Sequence, residues 1–292
     1  MAYPRQVSGK GETVRRNLSA SVLVLLVALA GGLAQEQAAE STQSETTATV
    51  SSPKVECSGF IADESIPKDL VLFDGADNDH HQPLRQFSTG DHVYLRVGGS
   101  TDVKEGSEYR IVRRAKELYR NQWYSGQQWL TINYSLGSMY EDAGRVKVSR
   151  VTPNGAVAEV TFSCGPIYPG DIAVPFKPRP VPNYAYTTHL DEFAPANGKL
   201  VGEIVAAGED SPMLGTGSIA HIDLGEADGA RPGQRYRIFR TFKDHASVFA
   251  PRKTPRETTG ELVILTTDRY ASVGIVVNSI REIGLRDGVE LE

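Results

Sequence analysis

The sequence predicts an all-β fold: two tandem small β-barrel-like modules joined by a proline-rich connector. Three observations point there. From Val55 onward the chain is a series of short runs of alternating polarity, such as His92–Val97, Tyr109–Arg113, Arg145–Val148 and Ala156–Phe162. Runs of that period, rich in β-branched residues and bounded by Gly, Pro, Asp and Asn, read as strands half buried on one face. Long helical periodicity is missing; the best helical stretch, Arg113–Tyr119, is short. The third observation is an internal repeat.

The repeat can be read residue by residue. Gly90–Gly98 (GDHVYLRVG) aligns with Gly217–Gly225 (GSIAHIDLG), and without a gap Val103–Arg113 then aligns with Ala230–Arg240. After a variable stretch, Gly144–Val148 matches Gly260–Ile264, and Ala156–Val160 is aligned with Ala271–Ile275. Each copy ends in a turn and a last strand, Tyr168–Ile172 and Arg286–Val289. Gly106 and Gly233 fall in tight turns, where positive φ favours glycine. Tyr109 with Ile111, and Tyr236 with Ile238, lie two apart and share a strand face; the arginines between them point outward. Five or six short strands per copy suit a small closed barrel, which removes exposed strand edges. An SH3-like barrel is the first choice; an OB-like barrel or a two-sheet sandwich is the alternative.

In chain order, residues 1–34 read as a signal peptide. Arg5, Lys10, Arg15 and Arg16 form a basic start, Ser21–Ala30 (SVLVLLVALA) an apolar core, and Gly32-Leu33-Ala34 a small-residue cleavage site. The alternative is a retained anchor, but the apolar stretch of about 16 residues falls short of the roughly 20 that span a bilayer. Residues 35–54 are poor in apolar side chains and read as a disordered Ser/Thr/Glu/Ala-rich tether. The first module is 55–175, with an aromatic insertion at 118–140. The connector, 176–196, follows Pro175 and carries prolines at 178, 180 and 182, which favour extended geometry. The second module is 197–292.

Residues 1–34 hold four of the 31 Lys/Arg and one of the 36 Asp/Glu, leaving 27 bases against 35 acids, a net charge of −8. An acidic chain argues against nucleic acid or an anionic membrane as partner. Membrane contact is expected only through a transient signal peptide. Cys57 and Cys164 are the two cysteines. In an oxidising compartment they suggest one bridge, closing a long loop worth on the order of 4–5 kcal/mol in the chain-entropy model. Neither cysteine sits in a metal-ligand pattern, and no metal or other cofactor is expected. Asp77–His81 (DNDHH) matches no EF-hand spacing and reads as an exposed polar loop. His189, His221 and His245 are isolated; His221 aligns with Tyr94 on a strand and reads as packed. Ser163-Cys164-Gly165 lacks the GxSxG setting of a nucleophile, and no phosphate-binding glycine motif occurs. No catalytic residues, and no enzyme activity, are expected.

The distinctive stretch is Leu118–Tyr140. It carries Trp123, Tyr124, Trp129, Tyr134 and Tyr140, with Gln122, Gln127 and Gln128 among them. Aromatics interleaved with amides suit a protein contact or stacking on sugar rings; the other reading is that the rings cover an open barrel end. The second copy has Phe242, Phe249, Arg252, Lys253 and Arg256 at the corresponding place.

The second copy, through Gly202-Glu-Ile-Val-Ala, Ile222-Asp-Leu-Gly225, Pro232-Gly233, Tyr236-Arg-Ile-Phe239 and Gly260-Glu-Leu, resembles the β-rich domain that follows LysM modules in some bacterial envelope proteins. It is also similar to the C-terminal domain of flagellar assembly protein T. Over Val55–Glu292 the chain resembles exported proteins of acidobacterial type, through Cys57-Ser-Gly-Phe-Ile61, Ser88-Thr-Gly-Asp91 and Asp191-Glu-Phe-Ala-Pro195. The resemblance implies an exported protein, periplasmic, envelope-associated or secreted, and brings no catalytic residues. The expected function is a non-catalytic protein-interaction or assembly module whose partner is an envelope protein. The alternative is peptidoglycan or carbohydrate binding through the aromatic loop, and an envelope hydrolase ranks last.

Overall fold

The computed structural model describes residues 45–75, 86–98, 102–115, 132–187, 189–208, 213–241, 243–244, 252–253 and 255–292. All lie in one compact unit, 42–292. An N-terminal segment comes first: β1 (Glu45–Thr49), the short helix α1 (Ser52–Glu56) with Pro53 in its first turn, and β2 (Phe60–Ala62). The first barrel follows as β3 (Leu70–Gly75), β4 (His92–Val97), β5 (Glu108–Arg114), β6 (Ser138–Thr152), β7 (Gly155–Ser163) and β8 (Ile172–Pro175). The connector contributes β9 (Asn183–Thr187). Beyond it come β10 (Val201–Ala207), β11 (Met213–Leu214), β12 (Ile219–Ile222) and β13 (Arg235–Arg240). The chain ends with β14 (Lys243–Asp244), β15 (Arg252–Lys253), β16 (Glu257–Thr267), β17 (Ser272–Ser279), β18 (Ile283–Gly284) and β19 (Gly288–Leu291).

Two closed six-stranded antiparallel barrels result. The first runs β3-β4-β7-β6-β5-β8 and returns to β3; the second runs β10-β12-β17-β16-β13-β19 and returns to β10. The strand orders correspond one to one. Both modules are small closed barrels, which leave no exposed strand edge within the ring. Each interior is filled by side chains. Leu72, Leu95, Tyr109, Ile111, Val146 and Val160 pack inside the first, and Ile204, Ile222, Tyr236, Ile238, Leu262 and Val276 inside the second. Fully burying one such aliphatic side chain stabilises by about 1.5–3 kcal/mol.

Matched hydrogen bonds tie the copies together. The Gly106 amide donates to Val148 O, and the Gly233 amide to Ile264 O, both at 2.8 Å. Both glycines have positive φ, 82° and 84°. Arg113 grips Asp171 through Nε at 2.8 Å and Nη2 at 2.6 Å; Arg240 grips Asp287 through the same atoms, both at 2.7 Å. The Ser163 hydroxyl meets Thr89 Oγ1 at 3.1 Å, as Ser279 meets Thr216 Oγ1 at 3.0 Å. Ser163 thus belongs to a repeated structural contact.

The register corrects one alignment. Ala156, opposite Leu95, corresponds to Ser272, opposite Ile222, so Ala156–Val160 matches Ser272–Val276 and not Ala271–Ile275. The Val160 and Val276 amides confirm it by donating to Asp91 O and Ser218 O at the same place in each ring. Because side chains alternate along a strand, a one-residue slip would turn every core residue outward.

The expected disordered tether is ordered from Glu45 onward. β1 pairs antiparallel with β9 over five residues, and Val50 is buried. The segment is too polar to fold on its own apolar content, but the surface that buries Val50 and Val55 comes from the second barrel. The connector likewise does more than span a gap. Residues 176–182 have no regular secondary structure, yet Arg110 and Arg145 both stack over the Phe176 ring. Farther on, Tyr184 and Tyr186 pack on the second barrel's outer face.

Candidate functional site

Cys57, just past α1, is bonded to Cys164, just past β7; the S–S distance is 2.05 Å across a separation of 107 residues. The bridge ties the N-terminal segment to the first barrel. It lines a cleft of about 340 Å³ together with Lys54, Arg113, Glu141, Gly208 and Ile219.

The aromatic candidates part company. Trp123, Tyr124 and Trp129 lie outside the described residues, as do the Asp77–His81 loop, Phe242 and Phe249. Tyr134 sits in a single π-helical turn, Ile132–Leu136, with 84% of its surface exposed. Tyr140 is 2% exposed and leaves the candidate surface. It stacks on Phe60 at 5.4 Å, and its hydroxyl accepts the Ile66 amide at 2.9 Å. The reason is β2, which lies along β6 and covers the ring from outside. Ile132 and Leu136, on either side of Tyr134, are buried with Ile61 against Ala206 and Ala271 of the second barrel. The C-terminal root of the insertion is therefore held where the modules meet.

That seam has a polar centre which sequence reasoning missed. Arg179, set between Pro178 and Pro180, donates through Nη1 to Val55 O (3.1 Å), Glu56 O (3.3 Å) and the carboxylate of Asp142. Its guanidinium also lies over the Phe60 ring at 5.5 Å. Asp142, on β6, accepts the Gly59 amide at 2.8 Å and sits 3.8 Å from Arg110 Nε. One arginine thus joins the connector, α1 and the first barrel through charge-assisted bonds. Gly59 has φ +69°, and a Cβ there would stand 2.8 Å from Tyr140 O and 3.6 Å from His221 Cε1. Only glycine fits this close approach.

His221 is fully buried, and neither ring nitrogen has a hydrogen-bond partner among the described residues. It points out of the second barrel into the seam, opposite in strand polarity to Ala220 and Ile222. Burial first, then the nearby positive charge of Arg179, pulls its pKa down to about 4. Asp268, at the end of β16, is the counterpart. Burial pushes its carboxyl up to about 6; Arg179 pulls it back, and Glu226, Asp63 and Asp142 push it further up.

Asp268 opens onto a second cleft of about 460 Å³ between the modules. The first barrel and connector bring Arg110, Lys177 and Arg179 to it, and the second barrel brings Glu226, Thr266 and Asp268. Burial, then the proximity of Arg179, draws the Arg110 pKa below its ordinary value. Among the described residues, no cluster of three or more His, Cys, Asp or Glu side chains is placed to hold a metal ion, and no helix is long and apolar enough to cross a membrane.

Fold and seam together define a two-barrel β protein whose modules are clamped by a stapled N-terminal segment and a proline-rich strap. No family model matches the chain, and no curated protein matches it.

Proposed function

We propose that this is an exported, non-catalytic envelope protein that acts as a protein-interaction or assembly module, with the aromatic insertion as its contact surface. The observation that carries the reading is the anchoring of that insertion. Ile132 and Leu136 are buried at the seam while Tyr134 between them stands almost fully in solvent. An exposed aromatic on a buried root suits a contact anchor, since its backbone is already held in place when it is covered. Barrel interiors filled with side chains support a surface-borne role. The Cys57–Cys164 bridge is compatible with export to an oxidising compartment.

The test is co-purification of the mature chain from a bacterial envelope fraction, beside retention on purified sacculi. The expected outcome is a protein partner recovered with the native chain and lost with Tyr134→Ala and Trp123→Ala. Retention on sacculi that Trp123→Ala abolishes would replace this reading with glycan binding.

A further inference from the structure

We propose that the cleft of about 460 Å³ between the modules is a binding site for a small zwitterionic ligand, an amino acid or short peptide carrying both a free amine and a free carboxylate. Its charges are sorted across the opening. Lys177 and Arg110 stand on the side of the first barrel and connector, Arg110 with donors left over beyond its bond to Lys177 O (2.9 Å) and its pairing with Asp142 (3.8 Å); Glu226 and Asp268 stand on the side of the second barrel. Arg179 is spent on Val55, Glu56, Ser58 and Asp142, and acts as a positioning residue.

The acidic wall is incomplete. Glu226 Oε1 accepts the Thr267 hydroxyl at 3.2 Å, but the Asp268 carboxylate has no hydrogen-bond or ion-pair partner among the described residues. Beside it the Thr266 hydroxyl is buried and has no hydrogen-bond partner among the described residues. A desolvated carboxylate is costly unless a cation or donor completes it. A ligand ammonium supplies both. Burial raises the Asp268 pKa to about 6, and Arg179 offsets that only in part.

The opposite wall excludes a simple cation, because Arg110 and Lys177 repel one and favour a carboxylate. Glu226 and Asp268 exclude a simple anion in the same way. A neutral sugar would leave charges of both signs uncompensated. Phe60 and the prolines at 175, 178 and 180 give the cleft an apolar lining, and its volume lies in the range of small-molecule sites, roughly 300–1,000 Å³. The cleft shares no residue with the aromatic insertion, so its failure leaves the function proposed above untouched.

Calorimetric titration of the whole mature chain at pH 7 tests this, with four probes: alanyl-alanine, its N-acetyl form, its C-terminal amide, and the neutral disaccharide diacetylchitobiose. Free alanyl-alanine, in its L,L or D,D form, is expected to bind saturably at one site. Blocking either end should weaken it about tenfold or more. Asp268→Asn should erase the difference between the free and N-acetylated peptide, and Arg110→Gln the difference between the free and amidated peptide. Asp268→Asn removes an unpaired carboxylate and should fold normally by circular dichroism. No saturable heat with any peptide, equal binding of free and blocked forms, or binding of the disaccharide alone would overturn the assignment. So would an Asp268→Asn variant that still prefers the free amine.

Discussion

The two barrels share a ring order and a set of hydrogen bonds, yet the outer faces of matching strands have opposite fates. On β6 and β7 of the first barrel, Lys147, Ser149 and Glu159 face solvent. The matching residues of β16 and β17 are Val263, Leu265 and Ile275, all buried beneath Val50, Val55, Phe60, Tyr184 and Tyr186. Where Tyr94 lies half-exposed and stacked on the exposed Phe73, its equivalent His221 is sealed in the seam. One scaffold thus supports a wet face and a docking face. The difference lies in side-chain chemistry laid on an unchanged backbone, and the apolar face is covered by the N-terminal segment and the connector.

The largest effect should come from exchanging residues across that comparison. Ile275→Glu places the first barrel's residue in the second barrel's buried face, and unfolding in urea should show a loss of about 4 kcal/mol or more, the cost of an unpaired buried charge. Glu159→Ile should change stability by no more than about 0.5 kcal/mol, as surface changes do. Equal effects at the two sites would break the contrast. Removing the staple comes next. Cys57→Ala with Cys164→Ala should cost about 2–5 kcal/mol, and hydrogen exchange should rise first in 45–60, the segment the bridge holds.

Acid response sharpens the picture of the seam. His221 titrates lower in the folded chain (about 4) than unfolded (6.5), so its share of stability is complete above 6.5 and is lost as pH falls toward 4. Asp268 titrates higher when folded (about 6) than unfolded (3.8), so its share is complete below 3.8 and is lost as pH rises through 6. The two slopes oppose each other between about 4 and 6. Asp268→Asn should remove the larger opposing slope, Asp223 keeping a smaller one of the same sign, and leave a net loss of up to about 2–3 kcal/mol between pH 7 and pH 4.5 by chemical denaturation. A variant whose stability stays flat over that range would show that His221 is not desolvated.

The smallest effect concerns the last turn of each copy. Gly170 takes φ +99° in the first barrel, and Arg286 takes φ +72° in the second. A left-handed conformation costs a residue with a side chain roughly 1–2 kcal/mol. Arg286→Gly should therefore raise stability by about 1 kcal/mol, and Gly170→Arg should lower it by a similar amount, both read as midpoint shifts in denaturant.

Much of the fold was legible along the chain. Tyr109, Ile111, Tyr236 and Ile238 announced their strand faces, Gly106 and Gly233 their turns, and the two cysteines their bond. The slip of one residue between Ala156 and Ser272 was not legible, because Ala and Ser fit either alignment and only pairing partners decide it. Tyr140 looked like its aromatic neighbours because the strand that covers it lies far away in sequence. One signal of the docking face was present: Leu262-Val-Ile-Leu265 is apolar on both faces, where Val146-Lys-Val-Ser149 alternates. Unbroken apolar runs of that kind mean burial from both sides.

What the sequence by itself determined is the pair of barrels, since alternation, turn glycines and repeated spacing are local and act through the backbone's period of two. Tertiary structure alone decided the ordering of 45–54, the place of Arg179 beside Asp142, and the sorting of charge across the cleft. Each of these depends on surface or charge supplied from more than thirty residues away, where partners are set by packing and not by local pattern.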